Sequence, residues 1–371
     1  MENSSSWGNS PVGFRTLWVT VAPVVQDGVQ GLGLPLQVFF CVAMVCVLLL
    51  AFLGNVVVCV MVYRRAAMRS AINILLASLA FSDMMLALLN MPFALVTVLS
   101  MHWVFGTAFC RMSAMFLWLF LLQGAAVLLI ISVDRFLIIV QKQDRLSPGR
   151  AKALVAVSWT LSLFLAFPLS LGFPSVPAPP RAPQCVFGFA LERGEQAYVV
   201  LMVLVFFFVP FSVMLYAFVG ILCTLRRNAL RIHSAFGSDS GKVRLAALRR
   251  PFHFNIDMSF KTRAFSTILV LFCISAVCWA PFVVFSLMSS FSGEFYSSAD
   301  FFQISTWLLW LCYLKSALNP LVYYWRIRKF RDACLSLLPK RCGLLADVSG
   351  PVRRRIRPST VYACGDHRST V

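Results

Sequence analysis

Of the 371 residues, 60 % are hydrophobic and only 13 % are charged, whereas a water-soluble domain carries about a quarter charged residues. A soluble core could not hide that much apolar surface, so composition excludes an ordinary globular domain and predicts an all-α membrane protein. The formal charge of +19 would suit a nucleic-acid binder. The basic residues flank apolar runs, however, which excludes nucleic acid as a partner and points instead to anionic membrane lipids.

The first 34 residues are polar and Gly-rich, without a basic start followed by an apolar block. The first apolar run is therefore expected to act as the insertion signal. Asn3-Ser4-Ser5 is an acceptor pattern for N-glycosylation. Seven apolar runs follow, over 36–62, 72–99, 108–140, 153–173, 198–225, 265–288 and 301–324. Each can cross about 30 Å of hydrocarbon as a helix rising about 1.5 Å per residue. Apolar residues are continuous rather than alternating, which excludes barrel strands.

Arg64, Arg65, Arg69, Lys142, Arg145, Arg150, Lys152, Arg226, Arg227, Arg231, Lys242, Arg249, Arg250 and the run Arg353-Arg354-Arg355 fall on one side of these spans. The other side carries Arg15, Arg111, Arg181 and Arg193. That asymmetry places the N-terminus outside and the C-terminus in the cytoplasm of a multi-pass plasma-membrane protein. Cys110 and Cys185 are the two cysteines on the outer, oxidising side and are expected to pair. Cys41, Cys46, Cys59, Cys223, Cys273, Cys278 and Cys312 read as small apolar packers within spans. The Pro-rich stretch 175–183 reads as an extended outer loop and 228–255 as a basic cytoplasmic connection. Residues 325–338 read as an amphipathic helix, with Phe330 and Cys334 on one face and Arg328, Lys329 and Arg331 elsewhere. Cys334 and Cys342, at its end, are candidate palmitoylation sites. Prolines 92, 168, 210, 281 and 320 lie inside five spans, and each removes a backbone donor and kinks its helix.

A set of residues recurs at matching depths. Gly54-Asn55 lies in the first span, Leu79-Ala80-Phe81-Ser82-Asp83 in the second and Asp134-Arg135-Phe136 at the end of the third. Trp159 and Pro210 follow in the fourth and fifth, Cys278-Trp279-Ala280-Pro281 in the sixth and Asn319-Pro320-Leu321-Val322-Tyr323 in the seventh. On these residues the chain resembles the rhodopsin-like G-protein-coupled receptors over about 36–340, and one of the orphan members of that class in particular. The resemblance implies an outer tail over 1–35, a seven-transmembrane bundle over 36–325, and a short cytoplasmic amphipathic eighth helix and tail over 326–371. It implies a receptor rather than an enzyme, without a cofactor, that signals to a heterotrimeric G protein. In relatives, release of the arginine matching Arg135 from Asp134 and inward rotation of the tyrosine matching Tyr323 open the G-protein cavity. Trp279 stands at the toggle position beneath the pocket.

The departures are as informative. Lys315 lies mid-span, five residues before Pro320, where an intramembrane charge is expensive and functional. The retinal-binding lysine of opsins lies seven residues before the matching proline, where this chain has Tyr313. Two residues are about 200° around a helix, which excludes an opsin. Relatives place a sodium site beside the aspartate matching Asp83, and Gly124 stands where they tend to have a sodium-ligating serine. Lys315 is therefore expected to pair with Asp83 and take the ion's place.

Lys261 stands where many relatives have a glutamate that locks the arginine. Its absence leads us to expect ligand-independent signalling. A biogenic amine is excluded by Leu117, where amine receptors carry an aspartate. Arg111, Leu117, Trp118, Phe285, Trp307 and Trp310 suggest a pocket for an apolar or lipid-like ligand with an anionic group, with a peptide as the alternative. The terminal Ser369-Thr370-Val371 fits a peptide that adds a strand to a PDZ scaffold. The rival reading is a non-signalling seven-helix protein acting through partner receptors or scaffolds.

Overall fold

The computed structural model describes residues 33–64, 68–174, 181–237 and 251–335, with side chains described except at 229, 231–237, 251–264, 329, 333 and 335. Six helices are long and apolar enough to cross a bilayer: Leu34–Arg64, Ala71–Ser100, Gly106–Ile139, Pro148–Ser170, Arg193–Asn228 and Phe265–Phe291. They are spans 1 to 6. Span 7 is the helix Phe301–Arg326, whose apolar character is diluted by Gln303, Lys315, Ser316 and Asn319. It packs between spans 1 and 6 and closes the bundle. Among the described residues there is no strand, as a bilayer requires of a chain that satisfies its own backbone within each segment.

Span 3 is the axis. Its apolar window is 78 % buried, against 28 % for span 1 and 22 % for span 4, and it packs against spans 2, 4, 5 and 6. Spans 1, 4 and 5 expose Phe39, Leu53, Phe164 and Tyr216 outward, the surface that lipid covers. Amide side chains knit the interior where apolar packing alone gives little direction. The Gln123 Nε2 donates to Ser78 Oγ (3.2 Å) and Ser158 Oγ (3.0 Å), and the Trp159 indole donates to Ser78 Oγ (3.1 Å). Spans 2, 3 and 4 are joined through these three bonds.

The prolines act as their chemistry requires. Span 2 breaks at Asn90 (φ −127°, ψ −50°) and restarts at Met91 with Pro92 in the first turn. A π-helical turn at Leu204–Phe208 precedes Pro210, the local loosening that bulges supply at functional sites. Pro281 and Pro320 sit inside their helices, while Pro168 lies two residues before the end of span 4. Two boundaries differ from hydropathy. The helix of span 6 starts at Pro251 and that of span 5 reaches Gly237, because a helix extends into water where its residues are polar. The amphipathic helix is Arg328–Leu335, set off by the extended Ile327 (φ −107°, ψ 100°). Phe330 is buried and Arg328 and Asp332 are exposed.

Spans 1 and 7 meet closely at one glycine. A Cβ on Gly54 would stand 2.9 Å from both Cβ and Cγ of Pro320, a contact that forces the helices apart. Gly54→Ala is expected to cost about 1–3 kcal/mol and to lower the thermal midpoint of the purified protein. Gly194→Ala, at a glycine with nothing within 4 Å, should leave it within error.

Candidate functional site

At the centre of the bundle Asp83 of span 2 faces span 7. The Lys315 Nζ donates to Asp83 Oδ1 at 3.0 Å, and the side chains are 2 % and 4 % exposed. Two further donors complete the carboxylate: Ser316 Oγ to Oδ1 (2.7 Å) and Asn319 Nδ2 to Oδ2 (2.5 Å). Lys315, Ser316 and Asn319 lie within about one turn of span 7, so one helix face supplies all three. Asn55 stands behind them and donates to the backbone carbonyls of Ala51 (2.7 Å) and Ser316 (3.0 Å) rather than to the carboxylate.

The ammonium also lies 4.7 Å from the centre of the Trp279 ring, where the ring face attracts a cation. A Cβ on Gly124 would meet Lys315 Nζ and Trp279 Cη2, each at 3.4 Å. The glycine thus leaves room for the ammonium to reach between spans 2, 3 and 6. A buried ion pair stabilises through the completeness of its bonds, and here the carboxylate is met by one charged and two neutral donors. Trp279 packs in turn on Phe206 (4.9 Å) and Phe211 (6.1 Å), carrying the contact to the π-turn and Pro210.

Toward one end of the bundle Arg135 is held by its own neighbour. Its Nη2 and Nε lie 2.5 and 3.0 Å from Asp134 Oδ2. The Arg135 side chain is 20 % exposed against 6 % for Asp134. Phe136 packs on span 5: its ring is 5.8 Å from that of Tyr216, and a Cβ on Gly220 would come 2.7 Å from Phe136 Cε2. Tyr323 is buried, its ring 6.0 Å from Phe330 of the amphipathic helix, and its hydroxyl has no partner among the described residues. Lys261 lies on the helix of span 6, and its side chain is outside the described residues. A cavity of about 380 Å³ opens at this end between spans 3 and 4, lined by Leu129, Val133, Asp134, Leu137, Arg145 and Leu154 among others.

The other end is fastened by the disulfide Cys110–Cys185, which ties the start of span 3 to the loop before span 5. The loop does not lie on the surface there. Residues 182–188 are all buried. Phe187 stacks on Trp118, with centroids 4.9 Å apart, and Gln184 hydrogen-bonds Ser113 of span 3 and Tyr313 of span 7. The six suggested pocket residues lie in three places, with Trp118 and Phe285 bridged by Phe282. Leu117, Trp118 and Phe285 are fully buried in the core. Trp307 is 38 % exposed and packs on Phe40 of span 1 at 4.4 Å, with Trp310 beside it at 6.3 Å. Arg111 turns toward span 4: a Cβ on Gly172 (φ +88°) would stand 2.8 Å from its Cζ. The Arg111 Nε is buried without a partner.

Helical phase explains the mixture, because in a run that is apolar all round nothing in the sequence marks the inward face. The residues that do build this end, Asn90, Ser113, Gln184 and Tyr313, are polar groups in apolar surroundings, the signal that could have found them. Asn90 Nδ2 donates to the Ser113 carbonyl at 2.8 Å. Cys334 is half-buried, and burial pushes its thiol up. Asn3, Cys342, Ser369 and Val371 lie outside the described residues.

Comparison with known proteins agrees with this arrangement. The chain matches the family model of the 7 transmembrane receptor (rhodopsin family) over residues 54–323. It is 59 % identical over 368 residues to the human probable G-protein coupled receptor 63, covering 98 % of this chain and 88 % of that protein. It is 54 % identical to the high-affinity lysophosphatidic acid receptor of Xenopus laevis, covering 91 % and 92 % of the two chains. The human probable G-protein coupled receptor 45 is 51 % identical, over 96 % and 97 %. The fold is that of squid rhodopsin, with a TM-score of 0.71 at 17 % identity over 86 % of this chain and 89 % of that one. The chain therefore belongs to the rhodopsin family of seven-transmembrane receptors, and is a multi-pass membrane receptor rather than an enzyme.

Proposed function

We propose that this receptor passes a signal across the plasma membrane to a heterotrimeric G protein, with its N-terminus outside, and that part of the signal needs no ligand. The observation that carries the reading is Arg135. Among the described residues its partner is the adjacent Asp134, and it is one-fifth exposed at the end of the bundle where Arg64, Arg69, Arg145, Arg150, Arg226 and Arg227 gather. An excess of Arg and Lys marks a cytoplasmic face. A pair between neighbours on one helix holds no second helix in place, and Lys261 offers the arginine no carboxylate from span 6. Release of Arg135 is then opposed by little beyond the local bond.

The Asp83–Lys315 pair belongs to the same reading. The ammonium occupies the cation's place beside Asp83, against Gly124, so the resting state is held by a covalently attached charge instead of a sodium ion. For the ligand, the lipid-like reading narrows to a lysophospholipid. It is favoured by the 54 % identity to a receptor named for lysophosphatidic acid and by Arg111, whose buried Nε is unpartnered and whose guanidinium suits a phosphate.

Agonist-free activation, measured in cells across the G-protein families at equal surface expression, should show a basal signal in one family. Arg135→Ala should reduce that signal at least tenfold. Absence of any basal signal from the native chain would contradict ligand-independent signalling. Lysophosphatidic acid applied in the same cells should raise the signal, and Arg111→Ala should shift the half-maximal concentration up at least tenfold. An unchanged response would remove Arg111 from the ligand site.

A further inference from the structure

Loops run over the surface because their backbone polar groups need partners, yet the segment 182–188 is sunk among the helices without being helix or strand. Ala182, Gln184 and Cys185 are 0 % exposed and Phe187 is 2 % exposed. The segment has one polar and one aromatic anchor. The Gln184 carboxamide is satisfied at both ends: its Nε2 donates to Ser113 Oγ (3.1 Å), and its Oε1 accepts the Tyr313 hydroxyl. Span 3 and span 7 are bridged by that one side chain. The Phe187 ring lies stacked on Trp118, which also meets Phe206 of span 5 (5.7 Å) and Phe282 of span 6 (5.9 Å). Just beyond, the Ala190 N–H donates to the Ser290 carbonyl of span 6 at 3.0 Å.

We propose that the ligand cavity of this receptor is filled by its own segment 182–188, which acts as a tethered ligand of the resting state through Gln184 and Phe187. The proposal rests on the receptor reading above for which end faces outside. The state it favours follows from the contacts. They are made while Arg135 still lies on Asp134, and an occupant that binds one state better shifts the population toward it. Spans 3 and 7 are clasped at the outer end by the same segment, and span 6 by Ala190 just beyond it, which compensates for the weak hold on Arg135 at the inner end. The disulfide at Cys185 keeps the occupant at high effective concentration. A diffusible ligand must displace it. The place so vacated offers the Ser113 and Tyr313 hydroxyls beside the face of the Trp118 ring.

The test uses the full chain at the cell surface, oriented by an antibody to an N-terminal epitope on intact cells. Leu117 is fully buried on span 3 between Ser113 and Trp118, so Leu117→Cys reports on the cavity. A membrane-impermeant methanethiosulfonate applied outside should label Leu117→Cys no faster than the native cysteines. Adding Gln184→Ala and Phe187→Ala should raise the labelling rate at least tenfold. Tyr313→Phe, which removes one hydroxyl and keeps the ring, should raise it severalfold. On the otherwise native chain Gln184→Ala should raise agonist-free signalling severalfold. Rapid labelling with the segment intact, or a rate unchanged by the paired substitutions, overturns the proposal. A fall in signalling with Gln184→Ala overturns the resting-state role. Labelling needs no G protein, so failure of coupling and failure of the tether are separate results.

Discussion

A lysine at the midplane of a helical bundle must find an anion, because an unpaired charge there is too costly to hold. In this receptor that requirement joins Lys315 of span 7 to Asp83 of span 2, and much else is arranged around the pair. Ser316 and Asn319 finish the carboxylate from the same helix face. Gly124 keeps span 3 clear of the ammonium, and Trp279 offers it a ring face from span 6. Removing one member of such a pair leaves the other buried and uncompensated, at a cost of about 3–5 kcal/mol. The pair is thus a fixed point at the middle of the bundle.

Three polar stations lie along the bundle. At the disulfide end Gln184 connects spans 3 and 7. At the centre Asp83 and Lys315 connect spans 2 and 7. At the far end Arg135 rests on Asp134 within span 3 alone. Tyr313 and Lys315 are two residues apart on one helix, so the first two stations move with the same segment of span 7. Trp279 joins the central station to Phe206 and Phe211, and these lie in or beside the π-turn before Pro210. Among the described residues the third station has no hydrogen-bond partner from another helix. The bonds between helices are therefore concentrated, among the described residues, at the disulfide-end and central stations rather than at the arginine.

Much of this was legible in the sequence, and the exceptions have physical causes. All seven spans are visible as apolar runs, and the seventh is the one whose apolar character is diluted by the residues that matter most in it, Lys315 and Asn319. Lys315 could be singled out because depth alone makes a charge improbable unless it works. Its partner could be named because Asp83 is the acidic residue at matching depth. The proposed pocket was less legible. In spans that are apolar all round, no periodicity tells Trp118, which faces inward, from Trp307, which faces span 1 and the lipid. Nor does any local pattern reveal that residues 182–188 are buried, since their surroundings are made by residues distant in sequence, Ser113 and Trp118 of span 3 and Tyr313 of span 7 among them. Ala182 and Pro183, at the end of the proline-rich stretch read as an outer loop, are buried, with Gln184 next to the disulfide as the hint.

The central claim is that the Lys315 ammonium stands in place of a sodium ion at Asp83. The most direct measurement is the thermal unfolding midpoint of the purified receptor in sodium chloride and in potassium chloride at equal ionic strength, for the native chain and for Lys315→Asn. The account predicts one midpoint in both salts for the native receptor. It predicts a lower midpoint for Lys315→Asn that rises with sodium and not with potassium, since a ligand bound by the folded state alone stabilises it in proportion to the logarithm of its concentration. A native receptor that sodium stabilises, or a variant indifferent to both salts, would contradict it.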